Sequence, residues 1–228
     1  MFYNTIIFIM HFISNIKNLC TDFLFPKSQK ILEIEAFSAS QLLDILPPAE
    51  SIKSEKIIAL FDYRNPLVKD IIWELKYNGN VKIASLLGEI IYDVIKQELA
   101  DLTLFDKWSK PLLIPVPISD KRRFERGWNQ SEILCQQIIK HDSEKILKYV
   151  PRQLIKNRHT ESQTKTISRN ERLKNLTHSM EVLNTTAMKD EGVIIIDDVT
   201  TTGSTLAEAR CALNKVGIRK ILCISVAH

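Results

Sequence analysis

Residues 193–206 read Val-Ile-Ile-Ile-Asp-Asp-Val-Thr-Thr-Thr-Gly-Ser-Thr-Leu, the most informative segment of the chain. Four apolar residues predict a buried strand that carries Asp197 and Asp198 to its C-terminal end. Gly203 permits a tight turn, and the residues after it predict the start of a helix. A buried strand, a polar turn and a helix in this order are typical of an α/β protein with a parallel sheet.

The turn after this strand has the composition of a phosphate-binding site. Backbone N–H groups at a helix N-terminus, together with hydroxyl side chains, can bind a phosphate dianion. Because carboxylates would repel that phosphate, Asp197 and Asp198 are better placed to bind sugar hydroxyls, or Mg²⁺ through its water molecules. The sequence therefore predicts a sugar phosphate as ligand. Its phosphate is expected to contact Thr201, Thr202, Gly203, Ser204 and Thr205.

A plain strand-to-helix turn, capped by Asp198 or a threonine, is the alternative interpretation of this segment. One aspartate or one threonine would favour that alternative. Two aspartates, a glycine and a run of hydroxyl side chains directly after a buried strand favour the ligand site. The chain contains neither the Walker A pattern nor the Rossmann glycine pattern, so those two kinds of phosphate site are excluded.

The alternation of strands and helices extends over residues 57–228. Apolar runs predict further strands over residues 57–63, 111–116 and 221–226. Apolar residues at helical spacing predict helices over residues 67–77, 82–99, 131–140 and 204–216. Right-handed crossovers would place the strands in one mostly parallel sheet flanked by helices, with ligands bound at the carboxyl ends of the strands.

Two basic segments lie between these elements. Residues 119–129 are predicted to form a basic loop after the strand at 111–116. Residues 152–174 have no apolar periodicity and are rich in arginine and lysine. Each segment could bind an anion, since arginine matches a planar anion in a bidentate way. The alternative in each case is a basic loop that simply faces water.

Composition excludes several classes of protein. The chain has 228 residues, of which 45% are apolar and 25% charged, as in globular proteins rather than disordered or coiled-coil chains. Its 31 basic and 27 acidic residues give a net charge of +4, too small to indicate a nucleic-acid-binding protein without clustering. The four separated cysteines predict reduced thiols and a cytoplasmic protein. The apolar segment at residues 2–13 is shorter than the ~20 residues that span a bilayer, so we expect no stable membrane insertion.

Residues 193–205 resemble the phosphoribosyl pyrophosphate signature of type I phosphoribosyltransferases. In that signature an apolar strand is followed by Asp-Asp and a Thr-Thr-Gly-x-Thr turn. Thr200 stands where an aliphatic residue is usual, and its similar shape keeps the resemblance intact.

Further motifs resemble the competence protein F (ComF) family, over about residues 57–228. The family's order and spacing are present in Ile114-Pro-Val-Pro117, Arg122-Arg123 and Arg126-Gly-Trp-Asn-Gln130, with Trp128 in place of the usual phenylalanine. The other matching motifs are Leu75-Lys-Tyr77 with Gly79, and Arg158-x-Thr160-x-x-Gln163 followed by Arg169, Arg172 and Asn175.

The resemblance implies a type I phosphoribosyltransferase fold over residues 57–228, after a helical extension over residues 1–56. The family's zinc ribbon is missing from that extension, because no cysteine pair follows Phe25-Pro26. The implied cofactor is Mg²⁺, and the implied ligand is phosphoribosyl pyrophosphate or a nucleotide containing ribose 5-phosphate. The implied catalytic residues are Asp197, Asp198, Arg126 and Lys165. The implied ligand contacts are these two aspartates, the five turn residues named above, Arg126, Gly127 and Arg158.

Two functions are consistent with these motifs. The first is transfer of a phosphoribosyl group to a nitrogen acceptor, such as a nucleobase, with release of pyrophosphate. The second is a non-catalytic ligand-binding accessory protein of competence and DNA uptake, with single-stranded DNA or the competence machinery as partner. A homodimer is also consistent with the family.

Three further residues have simpler expectations. Lys76 is either part of the site or an ordinary residue at a helix C-terminus. Trp73 and Trp108 are expected to pack against other side chains.

Overall fold

The computed structural model describes residues 28–50, 57–106, 108–156, 180–184, 188 and 191–228. Contacts divide the chain into two units, residues 1–36 and residues 37–228. In the first unit, helix α1 (Gln29–Glu35) begins after Ser28, whose hydroxyl accepts a hydrogen bond from the Ile31 N–H. This interaction is an ordinary N-cap.

The second unit begins before the predicted boundary at residues 56/57. Helix α2 (Ala39–Ile45) starts with a capping box formed by Ser38 and Gln41. Residues 47–49 then pair with strand β1 (Ile57–Phe61), because the Asp62 N–H donates to the Pro47 carbonyl at 2.9 Å. Residues 37–50 therefore group with the sheet rather than with the first unit.

The second unit is built on a five-stranded parallel sheet. Besides β1, its strands are β2 (Leu112–Pro115), β3 (Lys148–Tyr149), β6 (Val193–Val199) and β7 (Ile221–Ala227). Their order is β1-β7-β6-β2-β3, and every pair is parallel. Two short strands, β4 (Leu154–Lys156) and β5 (Met180–Val182), form a separate antiparallel pair.

Helices follow the strands, as expected for βαβ units. They are α3 (Pro66–Trp73), a π-helix (Glu74–Asn78), α4 (Val81–Asp106), α5 (Asp120–Arg126), α6 (Gln130–His141) and α7 (Ser204–Lys215). The predicted mostly parallel sheet flanked by helices is confirmed. Among the described residues, no helix combines the length and the apolar character needed to cross a bilayer.

The central strand β6 is buried on both faces. Val193 and Ile195 belong to a core cluster that includes Leu206 and Leu213 of α7. Ile194 is also fully buried, and it points to the other face because side chains alternate along a strand. Burial on both faces explains why this strand reads as a continuous apolar run rather than an alternating pattern.

Helices α4 and α6 pack closely at Gly88. A Cβ at this position would lie 2.8 Å from the Gln137 Cβ, a distance that real side chains do not tolerate. Glycine therefore permits the approach of the two helices. Helix α4 also extends to Asp106, beyond the predicted end at residue 99.

The prediction of a basic loop over residues 119–129 is wrong, because helix α5 occupies most of this segment. Ser119 caps the helix by accepting a hydrogen bond from the Arg122 N–H at 3.3 Å, and Asp120 lies in the first turn. Gly127 ends the helix in the left-handed conformation, with φ of 84°. None of the α5 residues is buried, so the sequence has no apolar periodicity that could have indicated a helix.

The two tryptophans expected to pack differ from each other. Trp108 is 3% exposed and lies over Gly192, where a Cβ would come within 2.3 Å of the ring, so its prediction is confirmed. Trp73 remains 53% exposed, and its ring centroid lies 5.3 Å from that of Tyr77. The α3 stripe buries Val68, Ile71 and Ile72 and leaves Trp73 at its edge.

Candidate functional site

The site forms where β2 and β6 end side by side. These strands are neighbours in register, with Pro115 opposite Ile196, so the segments after them share one edge of the sheet. Strand β6 includes both aspartates, and Asp197 and Asp198 are only 7% and 5% exposed. The predicted pair therefore lies in a much drier environment than a loop would provide.

The turn between β6 and α7 is open to solvent, as a ligand site requires. Thr201, Thr202 and Ser204 are exposed, Thr205 is half-buried, and Gly203 has a left-handed φ of 73°. Within the described residues, no side chain caps α7. Since the first N–H groups of a helix have no intrahelical partner, they are available to an anion.

The base of this turn is held from the neighbouring strand. The Thr200 N–H donates to the Ala227 carbonyl at 2.9 Å, and the Thr200 carbonyl lies 3.1 Å from Nδ1 of His228. The turn is thus anchored to strand β7, while the hydroxyl groups of Thr201, Thr202 and Ser204 remain exposed to solvent. The structure brings all five predicted turn residues to the edge that carries the aspartates.

Asp198 is engaged by side chains from two other segments. Its Oδ2 lies 3.2 Å from the Lys76 ammonium nitrogen and accepts a hydrogen bond from Nε2 of Gln130 at 3.1 Å. Asp197 accepts hydrogen bonds from the Asp198 N–H at 2.9 Å and from the Ser131 hydroxyl at 3.4 Å. The two acids are therefore held by the π-helix and by the start of α6.

Burial raises the pKa of Asp197 well above its usual value, and the neighbouring Asp198 carboxylate raises it further. The Lys76 ammonium lowers the pKa of Asp197, but its effect is smaller than those two. Asp197 consequently keeps its proton to a higher pH than an isolated aspartate does.

Asn129 explains how α6 presents its first residues to the acids. Its side-chain carbonyl caps the helix by accepting a hydrogen bond from the Ser131 N–H at 3.0 Å. Its amide group donates to the Val116 carbonyl just beyond β2, at 2.9 Å. Gln130 and Ser131 are thus fixed at the edge of the sheet where β6 delivers Asp197 and Asp198.

Arg126 lies at the end of α5 with one unsatisfied donor. Its Nη1 atom is buried and has no hydrogen-bond partner among the described residues. Its guanidinium carbon lies 5.3 Å from the centre of the Tyr77 ring, a cation–π arrangement. A buried guanidinium N–H without a partner favours an anionic ligand. Gly127, the other predicted contact on this segment, is exposed.

Three separate motifs meet at this site. The indole N–H of Trp128 donates to the Leu75 carbonyl at 3.0 Å, and a Cβ at Gly79 would lie 3.0 Å from the Trp128 ring. Together with the Tyr77–Arg126 and Lys76–Asp198 contacts, these interactions join residues 75–79, 126–130 and 197–198. The π-helix is part of this junction, and π-helical turns are frequent at functional sites.

Sequence reasoning left Lys76 open between a site role and an ordinary helix C-terminal role, and it did not assign Tyr77, Gln130 or Ser131 to the site. The first two lie in a helical stripe and the last two start a helix, so local patterns predict only ordinary surface roles. For Lys76, Tyr77 and Gln130, their presence in family-like motifs was the one signal that could have found them, whereas Ser131 lies just outside those motifs. Arg158, Lys165 and the rest of the motif at residues 158–175 lie outside the described residues.

Comparisons with known proteins match part of this chain to a domain family and to two bacterial proteins. Residues 129–228 match the family model of the phosphoribosyl transferase domain. The chain is 30% identical over 161 residues to the DNA utilization protein YhgH of Escherichia coli O6:H1, covering 68% of this chain and 63% of that protein. It is 27% identical over 169 residues to competence protein F of Haemophilus influenzae, covering 73% of this chain and 70% of that protein.

The chain thus spans 63% of the length of the first of these relatives. A solved structure of the allosteric regulatory enzyme of purine biosynthesis is 16% identical, with a TM-score of 0.41, and the match covers 68% of this chain and 30% of that one. The parallel strand order and the domain match carry the assignment of the type I phosphoribosyltransferase fold. The domain match and these relatives support a phosphoribosyltransferase-like protein of the competence protein F family.

Proposed function

We propose that the protein binds phosphoribosyl pyrophosphate with Mg²⁺ and transfers its phosphoribosyl group to a nitrogen acceptor, such as a nucleobase, with release of pyrophosphate. The observation that carries this proposal is the arrangement at one sheet edge. An open helix N-terminus follows two buried carboxyl groups. A buried arginine N–H with no partner among the described residues lies on the segment whose Gln130 contacts Asp198. These features complement a phosphate, a sugar diol and a diphosphate, in that order.

Each part of the ligand has a proposed contact. The 5′-phosphate binds the backbone and hydroxyl groups of residues 201–205, and the ribose hydroxyls donate to Asp197 and Asp198. The diphosphate binds Arg126 and the backbone N–H of Gly127. Arg158 and Lys165, which lie outside the described residues, are proposed to contact the diphosphate from the segment 152–174.

The residues present fit Mg²⁺ bound through water rather than a metal centre within the protein. Among the described residues, no group of three or more His, Cys, Asp or Glu side chains could hold a metal ion. The proposed ligands are water molecules that hydrogen-bond to Asp197 and Asp198, together with phosphate oxygens of the substrate. When bound, the ion would neutralise charge on the leaving diphosphate.

Catalysis would consist mostly of positioning and charge neutralisation. The bond between C1 of the ribose and the diphosphate oxygen breaks, and its electron pair leaves with pyrophosphate. Arg126 stabilises that developing negative charge, while Asp197 and Asp198 hold the ribose by its hydroxyls. The acceptor nitrogen then forms a bond to C1 and loses a proton.

Calorimetry with Mg²⁺ and phosphoribosyl pyrophosphate tests the binding step. The wild type should bind, and the double variant Asp197→Ala/Asp198→Ala should lose binding. Asp93→Ala is the control, because Asp93 is 56% exposed on α4 and pairs with Lys96. Absence of binding by the wild type would overturn the proposal. If it binds, pyrophosphate release in a screen of nucleobases shows whether the protein is a transferase.

A second function is favoured by the names of the relatives, a DNA utilization protein and a competence protein. In this case the protein keeps the ligand pocket as an accessory protein of DNA uptake without turnover. Ligand binding without pyrophosphate release, together with single-stranded DNA affinity that falls steeply with salt, would support it. A location in the cytoplasm and a homodimer stay predictions, which cell fractionation and sedimentation velocity check.

A further inference from the structure

Gln130 has a buried acceptor without a partner at the acid pair. The residue is 4% exposed and is the first of α6. Its Nε2 donates to Oδ2 of Asp198 at 3.1 Å, whereas its Oε1 is buried and has no hydrogen-bond partner among the described residues. Buried polar atoms of native proteins are nearly always paired, so this atom requires an explanation.

The orientation of the Gln130 amide is determined by its neighbours. Oδ2 of Asp198 also lies 3.2 Å from the Lys76 ammonium nitrogen, which can only donate, so this oxygen acts as an acceptor. Only the nitrogen of the amide can donate to it, because the reversed amide would place two acceptor oxygens against each other. Oε1 is therefore the atom left to accept a hydrogen bond.

The partner that satisfies Oε1 must be a donor. Phosphate oxygens of a sugar phosphate are acceptors at neutral pH, so the phosphate groups cannot supply this hydrogen bond. Four residues earlier, the buried Nη1 of Arg126 has the opposite need, because it is a donor with no partner in the part of the chain that the structure describes. Together, the two atoms match a ligand that carries both anionic oxygens and an O–H group.

We propose that Gln130 is a further ligand-binding residue, whose Oε1 accepts a hydrogen bond from an O–H group of the bound sugar phosphate or of a water molecule on its Mg²⁺. This inference rests on the proposed function and adds a residue that selects for hydroxyl groups. Two sources share this chemistry, a ribose hydroxyl and a water molecule on Mg²⁺. The acid pair and Gln130 would then bind the hydroxyl side of the ligand together.

The test compares ribose 5-phosphate with inorganic phosphate by calorimetry, with and without Mg²⁺. Gln130→Met keeps the size of the side chain and removes the acceptor. It should weaken binding of ribose 5-phosphate roughly fivefold, as expected for one hydrogen bond, and leave the affinity for inorganic phosphate unchanged. Gln137→Met is the matched control, since Gln137 is equally buried on α6 but packs beside Gly88.

The two sources of the O–H group give different outcomes. A ribose hydroxyl predicts the same loss with and without Mg²⁺, whereas a metal-bound water predicts a loss only with Mg²⁺. Equal affinities of wild type and Gln130→Met for ribose 5-phosphate under both conditions would overturn the inference alone. Failure of the wild type to bind any sugar phosphate would overturn the proposed function as well.

A measurement on the wild type covers the case in which Gln130→Met fails to fold. In the presence of Mg²⁺, the ¹³C shift of the Gln130 side-chain carbonyl should move when ribose 5-phosphate is added, and should stay in place with inorganic phosphate. A role limited to positioning Asp198 would lower affinity in the variant but would leave this carbonyl shift unchanged. An unchanged shift with bound ribose 5-phosphate therefore contradicts the inference.

Discussion

At the scale of single residues, the electrostatics of the site depends on how two adjacent carboxyl groups are buried. Asp198 has a cation, the Lys76 ammonium at 3.2 Å, whereas Asp197 is held by neutral donors, the Ser131 hydroxyl and a backbone N–H. Burial and the adjacent charge raise the pKa of Asp197. A folded-state pKa above the unfolded value means that folding favours the protonated acid.

Asp197→Asn should remove a pH dependence of stability. The contribution of protonated Asp197 is fully present below the ordinary pKa of 3.8 and is lost as pH rises through the raised folded pKa. Each pKa unit of the rise corresponds to about 1.4 kcal/mol. In urea unfolding, the variant should therefore gain stability relative to wild type as pH increases from 4 to 8. A constant difference across this range would contradict the raised pKa.

Lys76→Met should destabilise the protein by about 2 kcal/mol, because it leaves the Asp198 carboxylate buried without its cation. The Lys76 and Asp198 side chains are 22% and 7% exposed, so solvent screens this pair only in part. Lys96→Met is the control, since Lys96 and Asp93 are 40% and 56% exposed and such a pair contributes under about 1 kcal/mol. Urea unfolding at pH 7 checks both variants. Equal losses of stability in Lys76→Met and Lys96→Met would show that the Lys76–Asp198 pair does not behave as a buried ion pair.

At the scale of secondary-structure elements, the π-helix brings Lys76 and Tyr77 to the acids. Its first residue, Glu74, is buried and accepts hydrogen bonds from the amides of Asn78 at 2.8 Å and Asn80 at 3.0 Å. Gly79 then ends the π-helix with φ of 57°. The wide turn is thus held at its start by a buried carboxylate and at its end by a left-handed glycine.

Gly79→Ala should destabilise the protein more than substitution of a left-handed glycine by alanine normally does. The strain of a positive φ costs about 1 kcal/mol, and the new Cβ would also press on the Trp128 ring at 3.0 Å. Gly217→Ala is the matched control, because Gly217 has φ of 91° but nothing lies within 4 Å of the position that a Cβ would occupy there. Thermal unfolding of both variants isolates the Trp128 contact. A smaller loss for Gly79→Ala than for Gly217→Ala would contradict this packing.

At the scale of the whole molecule, a ligand that binds only the folded state should stabilise it. Ribose 5-phosphate at 100 times its dissociation constant should raise the free energy of unfolding by about 2.7 kcal/mol. The double variant Asp197→Ala/Asp198→Ala should show no such increase, because the proposed ribose contacts are absent. Thermal unfolding with and without ligand measures both. Equal stabilisation of the wild type and the variant would place the ligand elsewhere.

Much of the fold could be predicted from local patterns. The strand at residues 193–196 and the helix after Gly203 were evident, because a doubly buried strand is continuously apolar and a glycine permits the turn. Helix α5 was not evident from the sequence, since it has no buried face. It is stabilised at its ends by Ser119, Asp120 and Gly127. The short strands β3, β4 and β5 were also missed, because two or three residues are too few for a periodic pattern.

The amino-acid order alone specified the strand, the acids and the open turn, because these features are contiguous and depend on local geometry. Contacts between segments far apart in the chain depended on tertiary packing. Lys76 and Gln130 reach Asp198 only because the strand order places β2 beside β6 and the π-helix faces them. The raised pKa of Asp197 has the same origin, since burial is a property of the assembled sheet edge and of no single segment.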